Sequence, residues 1–526
     1  MKIIVTEKLA EAGVEVLQQA MDMQVDLRYD IPREELLDII AGYDAMVVRS
    51  NTMVNEELYE KATNLKVVGR AGNGVDNIDL VGATNRGIIV VNTPDSNSVS
   101  ACELTVALML AAARNVVRHD NRLREKVWSR TGLQGIEFDG KTVGIIGLGR
   151  IGALVCTRLQ SFGMRVIAYD PYISDNRFVK LGAEKCEKLE DLMVRSDFIT
   201  IHTPKTEETL AMVSEKELAL VKQGVIIVNC ARANLIDETA LGAALKDGRV
   251  FAAGIDVLAG EPYATSPLIE YENVTISAHA GADTLEAQAN VGRTVAEEVL
   301  ASLRGEMVAN AVNLPHLLPN ELDEMKSYLY LGEVLGKLYH QLEKEPVEKL
   351  EVIYHGKAGD LETSMITRAV LKGLFEPIMK ERVNYVNAVI TAQNRGVEVL
   401  EGKSAAAGDL KSLVEIIVSG KKKYFTATGT VFGKNEVKLL KVNEYSFDLT
   451  PSPCMLVAKN DDKPGMIGQI GTILGVSKVN IATMQVSRDK QNNAMMFMTV
   501  DSIVSKEVLS MIGGVDGIKQ VSFVKL

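Results

Sequence analysis

Ten short runs of small and β-branched residues recur through the first three hundred positions, and they limit the possible folds more than any other feature. They are KIIV (2–5), AMVVRS (45–50), LKVVGR (65–70), GIIVVN (87–92), TVGIIG (142–147), RVIAYD (165–170), FITIH (198–202), VIIVNC (225–230), AAGIDV (252–257) and NVTISA (273–278). A strand with one wet face alternates apolar and polar residues; these runs do not, so both faces must be covered, as in a parallel sheet. Helical patterns separate them, which gives an α/β class. One set precedes an apolar helical pattern near 99–118 and another follows it, so two sheets are expected. Ser100-Ala-Cys-Glu103 reads as a capping box opening that helix. Two such units joined by long helices leave a cleft suited to a ligand.

The texture changes beyond residue 315. PHLLPNELDE reads as a linker or helix start, and 320–450 mixes a helix near 321–343, a strand LEVIYHG and a helix at 364–380, with no catalytic pattern. TPSP at 450–453 marks another boundary. The remainder reads strand, helix, two strands, helix, strand, the βαββαβ order of a ferredoxin-like fold.

The net charge of −11 argues against nucleic acid or an anionic membrane as partner. No apolar run approaches the ~20 residues needed to cross a bilayer, and MKIIVTEKL looks like a first strand rather than a signal peptide. The five cysteines show no CxxC spacing and suggest buried reduced thiols, so a soluble cytoplasmic protein without a metal site is expected.

Gly147-Leu-Gly149-Arg150-Ile151-Gly152 follows the strand TVGII and opens a helical stretch. Gly147 suits a tight turn, Gly149 a close approach of backbone amides to pyrophosphate, and Gly152 close helix–strand packing. The next strand ends in Asp170, placed to bond a ribose hydroxyl and to repel a 2′-phosphate, while Pro171-Tyr172 bring no arginine to receive one. NAD is therefore the expected cofactor rather than NADP.

A nicotinamide dehydrogenase also needs a proton acceptor, a carboxylate to orient it and a cation for an anionic substrate. His279, Glu261 and Arg232 each follow a buried strand, at the edge where open α/β sheets bind ligands. His202 competes as the base but has no acidic neighbour in sequence, and a place lining the cofactor would explain it.

With these residues in view, the chain resembles the D-2-hydroxyacid dehydrogenase family, in the long-chain branch that oxidises D-3-phosphoglycerate. The segments carrying the resemblance are VVGRAGNGVDNID (67–79), NTPDSNSVSACELT (92–105), GKTVGIIGLGRIG (140–152), NCARANLIDE (229–238), AAGIDVLAGEP (252–262) and AHAGADTLEAQ (278–288). The resemblance implies a flavodoxin-like substrate domain at 1–98 completed by 285–314, and a Rossmann-type NAD domain at 99–284. An α+β intervening domain at 315–450 and a ferredoxin-like ACT domain at 453–526 would follow. It places catalysis on His279, Glu261 and Arg232. Cofactor contacts would fall on Arg150, Ile151, Asp170, Thr203, Pro204, Cys230, Asp256 and Gly281, besides the three glycines.

Substrate contacts would fall on Arg49, Ser50, Thr52, Arg70, Asn73 and Gly74, with Arg130 contributed across a dimer interface. The C-terminal module would bind L-serine, with Asp462 and Asn480 at ligand positions, in a homodimer or homotetramer. Departures from the family pattern are Asn73 for threonine, Ser96 for glycine, Thr131 for lysine, Ala233-Asn234 for Gly-Gly, Asp283 for serine and Asn460 for tyrosine. Several lie close to the substrate, so another D-2-hydroxyacid is the alternative substrate. A non-catalytic NAD-responsive regulator is the alternative of another class.

Overall fold

The structure, a computed structural model, describes every residue except 262–264, 318–320, 344, 380–381, 407–409, 422–423 and 434. Pro262 and Lys380, at the ends of an expected motif and an expected helix, thus lie outside the described residues. Among the described residues the strands assemble into four sheets. Each of the ten apolar runs forms a strand within two residues of its expected ends.

The first sheet has five parallel strands in the order Gln24–Leu27, Lys2–Val5, Ala45–Val48, Val67–Arg70, Ile89–Val91. This is the flavodoxin-like order 2-1-3-4-5. Ile3, Ile4, Val5, Met46, Val47, Val67 and Val68 are buried on both faces, which is why these runs do not alternate. The helix Leu285–Leu303 returns to this sheet and buries Val291, Val295, Ala296 and Val299 against Ile3, Val5, Val47 and Val67. A Cβ on Gly69 would lie 2.4 Å from the Val299 side chain, so the helix can approach this closely only over glycine.

The second sheet has seven parallel strands. Their order is Val274–Ile276, Val250–Ile255, Val225–Asn229, Phe198–Ile201, Thr142–Ile146, Arg165–Tyr169, Glu184–Lys185. The direction of strand succession reverses between Thr142–Ile146 and Phe198–Ile201, the crevice where a doubly wound sheet takes its dinucleotide.

The apolar helix between the sheets departs from expectation. It runs Ser98–Ala113, then breaks, and Val116–Arg124 continues at 63°. Asn115 makes the break with φ 53°, a left-handed conformation asparagine tolerates. The expected capping box does not form: Asn97 is the N-cap and Ser98 the first helical residue, so Ser100 lies inside the first turn rather than at its cap. Ser100 is instead a buried helical residue. Among the described residues no single helix is long and apolar enough to cross a membrane.

The third sheet has six strands in the order Glu398–Ser404, Lys349–Gly356, Ser412–Ser419, Tyr424–Phe432, Glu436–Val442, Tyr445–Leu449. Helices Leu322–Leu342 and Thr363–Phe375 contribute to its core and touch each other through glycines. A Cβ on Gly336 would sit 2.1 Å from Val370 O, and one on Gly373 would sit 2.3 Å from Glu333 O.

The fourth sheet is antiparallel, ordered Ile481–Arg488, Asn493–Val500, Cys454–Asp461, Ile518–Lys525, with helices Met466–Val476 and Lys506–Gly513 in βαββαβ succession. Leu456, Ala458, Met496 and Met498 pack with those helices. Met455, Val457, Met495, Phe497 and Val524 belong instead to the same buried cluster as Leu350, Phe425 and Leu439 of the third sheet. The third and fourth sheets therefore share one core. That lobe reaches the first sheet where Asn384 Nδ2 donates to Gly87 O at 2.6 Å.

Candidate active site

The glycine loop is built as its spacing demands. Gly147 has φ 90°, and a Cβ there would lie 2.6 Å from His202 O. A Cβ on Gly152 would lie 2.1 Å from Gly147 O, so the helix Arg150–Gln160 packs directly on the turn. Around Gly149 a Cβ would meet nothing within 4 Å, and no side chain caps the helix that starts there. The first-turn amides thus face open space with the partial positive charge of a helix N-terminus, which fits a pyrophosphate. Asp170 follows the second strand of this sheet; its oxygens accept from Leu148 N at 2.9 Å and Tyr172 N at 3.0 Å. Each retains a lone pair for a ribose hydroxyl.

Arg150 pairs through Nε with Asp95 at 2.7 Å, and Ile151 packs on the core of the second sheet. Thr203 Oγ1 lies 3.6 Å from Met212 Sδ, and Pro204 O accepts from Thr209 Oγ1 at 2.7 Å. Burial pushes the Cys230 thiol up to about 12, leaving it an inert wall. Sequence proximity missed Arg177, whose guanidinium donates to Leu148 O and Gly149 O at 3.3 and 3.4 Å. The helix Asp175–Leu181 folds it back onto the glycine loop.

His279 and Glu261 meet: Nδ1 lies 2.8 Å from Glu261 Oε2. The other Glu261 oxygen accepts from Leu258 N at 2.8 Å, which fixes the carboxylate. The His279–Glu261 hydrogen bond raises the His279 pKa above its ordinary 6.5, against an opposing effect of burial. Burial pushes Glu261 up, but the bonds from His279 and Leu258 and the charges of His279 and Arg232 outweigh it and leave its pKa lowered.

His279 also has φ 52°, an uncommon conformation, held by its N–H donating to Asp256 O at 2.8 Å. The buried Asp256 carboxylate accepts from Ser277 Oγ, Ala280 N and Gly281 N at 2.6–3.0 Å. It therefore holds the His279 loop. His202 has no such partner: it bonds Thr200 Oγ1 at 3.0 Å, and burial pushes it down to about 4, so it stays neutral.

Across from this pair the cations gather. Arg70 feels the charges of Arg232 and Arg49; burial, reinforced by that repulsion, pushes its guanidinium down to about 10. Its Nε is buried without a hydrogen-bond partner. Two guanidinium groups act on a third that is incompletely satisfied, an arrangement chemically suited to an anion. Gly74 makes room: a Cβ there would lie 2.6 Å from Arg232 Nη2. Asn73 supplies its carbonyl to Asn92 Nδ2 at 2.6 Å. Asp76, not singled out from sequence, stands 3.7 Å from Arg232 Nε.

Thr52 Oγ1 lies 3.0 Å from Thr6 Oγ1, with Ser50 beside it on an exposed loop. Arg130 is exposed. At the other end of the chain, Asp462 pairs with Arg488 at 3.0 Å and Asn480 Nδ2 donates to Asp501 at 2.7 Å. Those two candidates are thus each held by a different neighbour.

Residues 106–281 match the model of the NAD binding domain of D-isomer specific 2-hydroxyacid dehydrogenases, and 324–443 match that of the D-3-phosphoglycerate dehydrogenase intervening domain. The D-3-phosphoglycerate dehydrogenase of Methanocaldococcus jannaschii is 41% identical over 526 residues, covering 100% of both chains. The chain belongs to the D-3-phosphoglycerate dehydrogenase family. A second member of that family, from Archaeoglobus fulgidus, is 40% identical over 530 residues, again covering 100% of both chains. Among solved structures, a D-lactate dehydrogenase from Aquifex aeolicus complexed with NAD and lactic acid superposes with TM-score 0.51 at 27% identity, over 58% of this chain and 96% of its own. Membership makes the chain an NAD-dependent dehydrogenase, with the NAD-binding unit on the second sheet.

Proposed function

We propose that the chain oxidises D-3-phosphoglycerate at C2 to 3-phosphohydroxypyruvate, a reaction for which bound NAD supplies the hydride acceptor. The observation that carries this reading is the His279–Glu261 pair set beside the Arg49, Arg70 and Arg232 cluster. With Nδ1 engaged by Glu261, Nε2 of His279 is left to take the hydroxyl proton. Arg232 holds the substrate carboxylate and polarises the forming carbonyl, and Arg49 and Arg70 meet the phosphate. Two anionic groups on one small acid account for three guanidinium groups better than a monocarboxylate does.

Steady-state comparison of D-3-phosphoglycerate with D-glycerate, D-lactate and D-2-hydroxyglutarate tests the substrate. A clear kcat/KM advantage for the phosphorylated acid is expected; equal values would favour another hydroxyacid. His279→Ala should lose about 10²–10⁴-fold in kcat, and a variant retaining wild-type kcat would remove the proton-transfer role.

The chain also acts as a homo-oligomer in this reading. The helix Val116–Arg124 buries none of its residues, and Val117, Leu123, Val127 and Trp128 are exposed, the last at 89%. Such a surface suits a second copy, which would receive Arg130. Light scattering should give a dimer or tetramer. The βαββαβ module is read as an ACT domain that binds L-serine, tested by calorimetry on the full chain; no heat with serine would exclude it.

A further inference from the structure

The loop at 49–52 carries Arg49, Ser50 and Thr52, and its backbone is held by Glu7, which lies in none of the quoted motifs, and by Asn77, which lies within VVGRAGNGVDNID. Glu7 follows the first strand at the carboxyl edge of the sheet and is only 6% exposed. Its Oε1 accepts from Arg49 N at 2.9 Å and Thr52 N at 3.0 Å, and its Oε2 accepts from Asn51 N at 3.1 Å. From the carbonyl side, Asn77 Nδ2 donates to Arg49 O at 2.9 Å and Thr52 O at 2.7 Å; Asn77 is 8% exposed. Burying a carboxylate is unfavourable unless its oxygens are satisfied. Here three main-chain amides of one loop satisfy them, so the acid and the loop specify each other's position. Arg232 influences the ionisation of the His279–Glu261 pair, and Arg232 and Arg49 both act on Arg70.

We propose that Glu7 and Asn77 are positioning residues that fix the 49–52 backbone so that its side chains meet the substrate's phosphate, a role that rests on the phosphoglycerate reading. Glu7→Gln keeps the shape and one acceptor oxygen but turns an NH2 group toward a backbone N–H. The KM for D-3-phosphoglycerate should rise about tenfold or more, while kcat and the KM for NAD stay within about threefold. Turnover of D-glycerate, which lacks the phosphate, should change by less than about threefold. Asn77→Ala should reproduce that split, with the thermal midpoint of each variant recorded alongside.

An unchanged KM would overturn the proposal. So would a lower KM, which would make Glu7 only a counter-charge to the guanidinium cluster. A parallel loss of NAD affinity and thermal stability would also overturn it, by making the two residues general scaffold. Wild-type protein that shows no preference for the phosphorylated acid would fail the substrate reading separately. The loop's role would then be read from the KM of whichever hydroxyacid is turned over, and no rise in that KM would overturn it.

Discussion

His279 owes its raised pKa first to the Glu261 hydrogen bond, and this sets how the reaction should respond to pH. Oxidation needs the neutral imidazole, so the acid limb of kcat/KM should lie above pH 6.5. Glu261→Gln replaces the charged acceptor with a neutral amide and so weakens the largest cause of the shift, and the limb should move to lower pH while kcat falls. A limb that stays in place would separate the two residues functionally. For stability the sign is opposite: the raised group favours the fold most fully below pH 6.5 and loses that contribution as pH rises through its folded value. At 53% side-chain exposure the contribution is small.

That His279, Glu261 and Arg232 come near one another was legible in the sequence, because each follows a strand that announces itself. Glu7 and Asp256 in its holding role were not legible, since a side chain bonded to main-chain amides of a distant loop leaves no periodic trace. Asn234 is intermediate. Its φ of 65° lies in the left-handed region, which asparagine tolerates.

Elements with apolar interiors could be read from composition; elements at the margins could not. The strands Gln24–Leu27 and Glu184–Lys185 are edge strands, with no fully buried residue and polar sequences, so they lacked the signal that marked the rest. The break at Asn115 was hidden because the residues on either side of it continue a helical pattern, and only a backbone angle divides them. The contact between Leu322–Leu342 and Thr363–Phe375 rests on Gly336 and Gly373 meeting opposing main chain. Gly336→Ala would put a methyl group 2.1 Å from Val370 O and force the helices apart. Overpacking of this kind should destabilise by about 1–3 kcal/mol, read from the denaturant midpoint. No change would mean that the helices separate freely.

At the scale of the molecule, the parallel sheets and the βαββαβ order were foreseeable from strand and helix succession, whereas the joining of the last two sheets was not. Alternation along a strand shows that a face is apolar, not which distant segment covers it. Met455, Val457, Met495, Phe497 and Val524 make that face, and residues of the third sheet cover it. A fragment of residues 453–526 should therefore lack a cooperative thermal transition and bind a hydrophobic dye, whereas 321–526 should unfold in one step. A well-folded short fragment would refute the common core.

Beside it, Gln341 pairs both its amide atoms with the Lys525 backbone, at 2.8 and 3.1 Å, and Asn384 rests on Gly87 of the first sheet. Two modules fused over one interior cannot be swapped or trimmed like beads on a string. Grafting the terminal module onto another enzyme would require carrying its neighbour along.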